Sequence, residues 1–248
     1  KKYGRKIWLM QDCCHAFGAE WNGRMIGTSG DVAVYAFNIS KMITSIFGGM
    51  LTFQDQALAD KVRGWRDRNY TRPRWTKGMQ RRLYLLAVFI AFNEKVYGLT
   101  WWLQEKTSLL NIFTKAYHLD GKIHFPPDYL DRMHEVEAAV GLKQLERYDD
   151  VLARRRANTV YYNQHLERRE GYVFPPVRKG ATYSHYVVRV NDREKTIEEW
   201  AKKGIHLGVL IQYTVPYLPE YSSQNEGCFP NSKIASCSTV NFTVTTPV

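Results

Sequence analysis

Gln11-Asp12-Cys13-Cys14-His15-Ala16-Phe17-Gly18-Ala19 follows directly on the short apolar run Lys6-Ile7-Trp8-Leu9-Met10. After Gly23, Gly27 and Gly30 comes a second run, Asp31-Val32-Ala33-Val34-Tyr35-Ala36-Phe37-Asn38-Ile39-Ser40-Lys41, and then the pair Gly48-Gly49 and a third apolar segment. Short apolar runs bounded by glycine turns read as strands. Asp12 and Lys41 then stand at the ends of neighbouring strands. Downstream, Gln56 to Arg68 has a helical period, with Ala57, Leu58, Val62 and Trp65 on one face and Asp55 as the residue that caps it. Strands followed by a helix predict an α/β sheet covered by helices.

An acid and an amine in these places meet the two needs of a pyridoxal 5'-phosphate (PLP) enzyme. The acid pairs with the pyridine nitrogen, and the amine forms the Schiff base. The ordered set Asp12, His15, Gly18, Gly23, Gly27, Gly30-Asp31, Phe37, Lys41 and Gly48-Gly49 resembles the sugar aminotransferases of the DegT/DnrJ/EryC1/StrS family, a branch of the fold-type I PLP enzymes. Arg132-Met133-His134-Glu135 with Ala138-Ala139, Gly141-Leu142 and Gln144-Leu145 resembles a second block of that family, and Ser184-His185-Tyr186-Val187-Val188-Arg189 a third.

The resemblance implies that Lys41 carries PLP and relays a proton during transfer, that Asp12 keeps the pyridine nitrogen protonated, and that His15 lies near the ring's phenolic oxygen. It implies an amino-acid donor, usually glutamate, a nucleotide-diphosphate keto-sugar as acceptor, and a homodimer with shared sites in the cytoplasm. Three positions depart from the family pattern. Ala36 replaces a phosphate-binding Ser, Phe47 replaces the Glu before the double glycine, and Leu130 replaces an Asn given to the partner's phosphate. Asn38 or Ser40 is a candidate substitute donor. The alternative reading is a relative that keeps the fold and binds or regulates without catalysis.

The expected organisation is part of a PLP-binding large domain, with a mainly parallel sheet, in 1–68, an apolar and basic helical insertion in 69–128, and a long helix with a small C-terminal α/β domain in 129–248. In the last part, Arg132 to about Leu166 reads as one helix, Arg154-Arg155-Arg156 as its solvated face, and His206 to Ile211 as a strand. The chain begins Lys1-Lys2 rather than with Met, and reads as a fragment lacking the family's N-terminal portion.

With 248 residues and 44% hydrophobic content, the chain has material for one large or two modest domains. Cys13, Cys14, Cys228 and Cys237 lack metal or redox spacing and read as free thiols, and no metal site is expected. The +11 net charge is concentrated in Arg63 to Arg82, which suits a diphosphate, an anionic lipid or nucleic acid. No nucleic-acid motif accompanies it, so nucleic acid is not expected as a partner. The run Leu83 to Phe92 is too short to span a bilayer, which takes about twenty residues. With residues up to 103 it reads either as a helical pair at a membrane surface or as a hairpin packed against protein.

Overall fold

A computed structural model of the chain describes residues 7–106, 124–166, 168–211, 213–219, 221 and 228–244. It divides into two compact units, Lys1–Asp12 with Gly30–Leu145, and Cys13–Ser29 with Glu146–Val248.

The first unit is built on a three-stranded sheet. β1 (Met10–Asp12) pairs in parallel with β4 (Val32–Asn38), and Asp12 is in register with Val34. β5 (Phe47–Phe53) returns antiparallel to β4, so this sheet is mixed, and the double glycine lies inside β5 rather than before it. The Gly30-Asp31 pair fastens β4 to β1. Asp31 Oδ2 accepts from Leu9 N at 2.9 Å, and a Cβ on Gly30 would stand 2.8 Å from the Leu9 carbonyl oxygen. Ala33, Tyr35, Met42, Ile43 and Ile46 form the buried centre.

Helices complete this unit. α1 (Gln56–Asn69) starts where expected, with Asp55 Oδ1 accepting from Ala57 N at 2.8 Å and Leu58 N at 3.2 Å. That oxygen satisfies two amide donors that no helical carbonyl reaches. The apolar run is α2 (Trp75–Ala91), followed by α3 (Glu94–Lys106). α2 packs on α3 and on α4 (Glu135–Leu145).

The second unit holds the short hairpin β2 (Glu20–Trp21) and β3 (Arg24–Met25), the helix α5 (Tyr148–His165), and β6 (Tyr186–Arg189) paired antiparallel with β7 (Thr239–Phe242). α6 (Arg193–Lys202) is capped by Asp192, which accepts from Lys195 N at 3.0 Å, and Gly204 closes it at φ 78°. α7 (Pro230–Ser238) leads into β7. Tyr162, Tyr186, Val188, Leu207, Val240 and Phe242 make the core.

Three expectations for this C-terminal part are corrected. The long helix is two helices, α4 and α5, interrupted at Glu146–Arg147, where the division between the units falls. His206 to Ile211 is not a strand. Gly208 makes a single bridge to Asn241, and the strand beside β6 is β7 instead. Arg155 is not solvated: it is buried, and its Nη1 donates to the carbonyls of Tyr183 (3.1 Å) and Ser184 (3.0 Å). The helix periodicity alone could not tell an arginine facing water from one facing a turn of uncapped carbonyls.

Candidate active site

Lys41 is set by a tight turn at the end of β4. Asn38 Oδ1 accepts from Ser40 N at 3.3 Å and from Ser40 Oγ at 2.8 Å, and the Lys41 amide donates to the Asn38 carbonyl at 3.0 Å. A side-chain oxygen that holds the backbone two residues on is the local device that lets Asn end a strand and turn the chain. Lys41 is half-buried, while Asn38 and Ser40 are exposed. Because the Ser40 hydroxyl hydrogen is committed to Asn38, Ser40 holds the turn.

The segment after Lys41 is fixed just as tightly. Ser45 N donates to the Phe37 carbonyl at 2.8 Å, and Ile46 is fully buried at φ 72°. A β-branched residue rarely adopts that backbone conformation. Ser45 Oγ is buried with no hydrogen-bond partner. Gly48 gives it room, since a Cβ there would lie 2.0 Å from Ser45 Oγ and 2.4 Å from Met133 Cε.

Asp12 ends β1, parallel to β4, so Asp12 and Lys41 come off the same, C-terminal end of one parallel strand pair in one unit. In open α/β sheets this is the end at which ligands bind. His15 belongs to the second unit, where its ring centroid is 5.5 Å from that of His185. The Gly-Ala that follows His15 has a structural cause. Gly18 sits at φ 71°, and a Cβ on it would lie 2.8 Å from Tyr148 Cε1. The Tyr148 hydroxyl donates to the Phe17 carbonyl, and burial pushes its phenol up to about 12.

The departures from the family pattern have distinct surroundings. Ala36 lies in β4 opposite Gly49 and offers no donor. Phe47 stacks toward Tyr84 (5.2 Å between centroids), with the Arg81 guanidinium 4.5 Å above its ring. Its aromatic ring therefore meets α2, the helix of the apolar insertion. Leu130 uses its carbonyl to accept from Thr71 N at 3.0 Å.

The charge cluster of this unit was not legible in the sequence. Lys77 Nζ lies 3.0 Å from Asp128 Oδ2 and 3.2 Å from Asp131 Oδ2, while Arg81 bonds Asp128 at 2.9 Å and Glu137 at 2.7 Å. Burial pushes the Asp128 carboxyl up, but Lys77 and Arg81 outweigh it, and the net result lies below the usual range. The Asp131 carboxyl is held low first by the Thr71 hydroxyl and then by Lys77. These groups line one side of a cleft of about 1180 Å³ between β5, α1, α2 and the segment around Asp128–Met133. Two cations read as part of a basic patch are thus already paired.

The sequence profile of the DegT/DnrJ/EryC1/StrS aminotransferase family matches residues 3–246. The chain belongs to that family. It spans about half the length of the curated relatives it matches. GDP-perosamine synthase of Escherichia coli O157:H7 is 25% identical over 89% of this chain and 48% of its own length. The spore coat polysaccharide biosynthesis protein SpsC of Bacillus subtilis is 23% identical over 91% of this chain and 52% of its own. Among solved structures, the sugar aminotransferase CalS13 from Micromonospora echinospora superposes with a TM-score of 0.62 at 21% identity, covering 98% of this chain and 55% of that one. The fold is that of the fold-type I aminotransferases, as the resemblance implied.

The family implies PLP, and the residues present fit it. An acid and an amine leave the same end of a parallel strand pair, with an amide side chain, Asn38, in the turn before the amine. At Ala36, where the resemblance implies a phosphate-binding Ser, the side chain supplies no hydroxyl.

Proposed function

We propose that this chain carries the cofactor-anchoring half of a PLP-dependent aminotransferase that moves an amino group from an amino acid, glutamate by preference, to a nucleotide-linked keto-sugar. The observation that carries this reading is the shared exit of Asp12 and Lys41 from the C-terminal end of the parallel β1/β4 pair. When bound, PLP supplies an electron sink that stabilises a carbanion at the donor's α-carbon. Lys41 would be the amine that anchors the cofactor and the base and acid that moves the α-proton. Asp12 holds the proton on the ring nitrogen as a charge-assisted pair. The family resemblance makes His15 the candidate group for the ring's phenolic oxygen. Asn38 would offer its amide to the phosphate, with Ser40 keeping its oxygen engaged. Loss of a hydroxyl at Ala36 removes one charged hydrogen bond, worth about 1.5–3 kcal/mol.

The sugar assignment rests on relatives such as GDP-perosamine synthase, whose name specifies a nucleotide-linked amino sugar. A homodimer acting in the cytoplasm accords with the family resemblance and with four cysteines that form no disulfide.

The test is chemical. The protein is incubated with PLP, reduced with borohydride and digested, and the modified peptide is mapped by mass spectrometry. A pyridoxyl group on Lys41, absent from Lys41→Ala, supports the reading and leads to assays of nucleotide keto-sugars with glutamate. No adduct at saturating PLP overturns it in favour of a non-catalytic relative.

A further inference from the structure

α2 carries two apolar faces, and only one of them is packed. Tyr84, Leu85 and Val88 are half-buried on the side of Lys77 and Arg81, facing α4 and α3. On the other side, Trp75, Met79, Leu83, Leu86 and Ile90 recur at helical spacing, with exposures of 77, 46, 59, 57 and 52%. Phe89 and Phe92 at the hairpin tip are exposed at 74 and 67%, and Leu99 and Trp102 of α3 at 59 and 50%. An unbroken apolar stripe of this kind marks a surface that something covers.

The charges around it select the occupant. Arg72, Arg74, Arg82 and Lys95 are exposed around the stripe, and Glu94 is the only acidic residue between positions 72 and 103. Lys77 and Arg81 are neutralised inward by Asp128, Asp131 and Glu137. The stripe is therefore apolar in the middle and cationic at its margins. A second copy would bring the same cations against it, on a chain of net charge +11. An anionic lipid surface would neutralise them.

We propose that the α2–α3 hairpin seats the protein on an anionic membrane surface, with the Trp75–Ile90 stripe in the headgroup region. The hairpin lies in the interface and does not cross it. Among the described residues no helix is long and apolar enough to span, and the 17 residues of α2 reach about 25 Å against a hydrocarbon core of about 30 Å. Apolar burial supplies attachment, and the flanking cations add roughly 1 kcal/mol each at an anionic surface, about fivefold in partition. This inference is independent of the aminotransferase reading.

The full protein is floated with vesicles of phosphatidylcholine alone or with a quarter phosphatidylglycerol, at low and high salt. Flotation with the anionic vesicles, reduced by salt, lost in Leu83→Glu/Leu86→Glu, and reduced about fivefold by each of Arg72→Gln and Arg82→Gln, is the expected result. Circular dichroism checks the folding of each variant. The two arginine variants, at exposed positions, keep the test decisive if the double variant misfolds. Absence of flotation overturns the proposal. So does a double variant that still floats but changes from dimer to monomer by light scattering, which would make the stripe a contact between copies.

Discussion

Arg81 Nε donates to Glu137 Oε1 at 2.7 Å across 56 residues of sequence, and the other Glu137 oxygen accepts from His134 N at 2.8 Å. One carboxylate thus caps the start of α4 and ties it to α2, which is the N3-glutamate half of a capping box with a cation added. Gly78 lets the two elements approach this closely, since a Cβ there would stand 2.4 Å from the His134 ring. Glu137 is 3% exposed. Removing Glu137 leaves the Arg81 guanidinium paired with Asp128 alone among the described residues, and the His134 amide without its acceptor. Glu137→Leu should therefore lower stability by about 1–3 kcal/mol in urea unfolding, and Arg81→Met/Glu137→Leu should recover part of that loss.

Acid stability should depend on the same cluster. The folded Asp128 and Asp131 carboxyls are held below their ordinary value of 3.8. A depressed folded value gives stability that is present above the unfolded value and lost as pH falls through the folded one. The midpoint of urea unfolding should fall below about pH 4, and Lys77→Met should flatten that decline.

Tyr148 governs the alkaline side. Its phenol, and that of Tyr186, is pushed up to about 12, first by burial. The folded state holds these protons more tightly than the unfolded chain, where the phenol titrates near 10. Their contribution is full below about pH 10 and is lost as pH rises toward about 12. Tyr148→Phe should cost about 1 kcal/mol at neutral pH, through the lost bond to the Phe17 carbonyl, and make the alkaline decline shallower. Equilibrium unfolding followed across that range measures both effects.

Ser45 and Gly48 should behave as a coupled pair. Ser45→Ala removes a buried hydroxyl that has no partner, so it should be neutral or stabilising by up to about 1 kcal/mol. Gly48→Ala should destabilise by about 1–3 kcal/mol through overpacking against Ser45 Oγ and Met133 Cε. Ser45→Ala/Gly48→Ala should be less unstable than the sum of the two. Strict additivity in a double-mutant cycle would contradict the contact.

On the proposed function, Lys41→Ala and Asp12→Ala should each lower transamination by about 1000-fold or more, as removal of groups acting at the reacting atoms does. Lys41→Ala should also lose the reducible adduct, whereas Asp12→Ala should keep it with weakened PLP retention. An Asp12→Ala protein with unchanged activity and retention would remove Asp12 from the proposed site.

The sequence by itself determined what depends on neighbours along the chain: the strands ending near Asp12 and preceding Lys41, the Asp55 cap of α1, and the closure of α6 at Gly204. Each is a local pattern of polarity, capping or permitted backbone angle. The motif glycines were legible as a set, but their reasons were not, because Gly18 answers to Tyr148 and Gly48 to Met133, far away in sequence. Only the tertiary structure decided the break between α4 and α5, the pairing of β6 with β7, the inward fate of Lys77, Arg81 and Arg155, and the exposed stripe of α2. All of these turn on which distant group lies opposite a side chain, and periodicity records only that a face is apolar or charged, never what it meets.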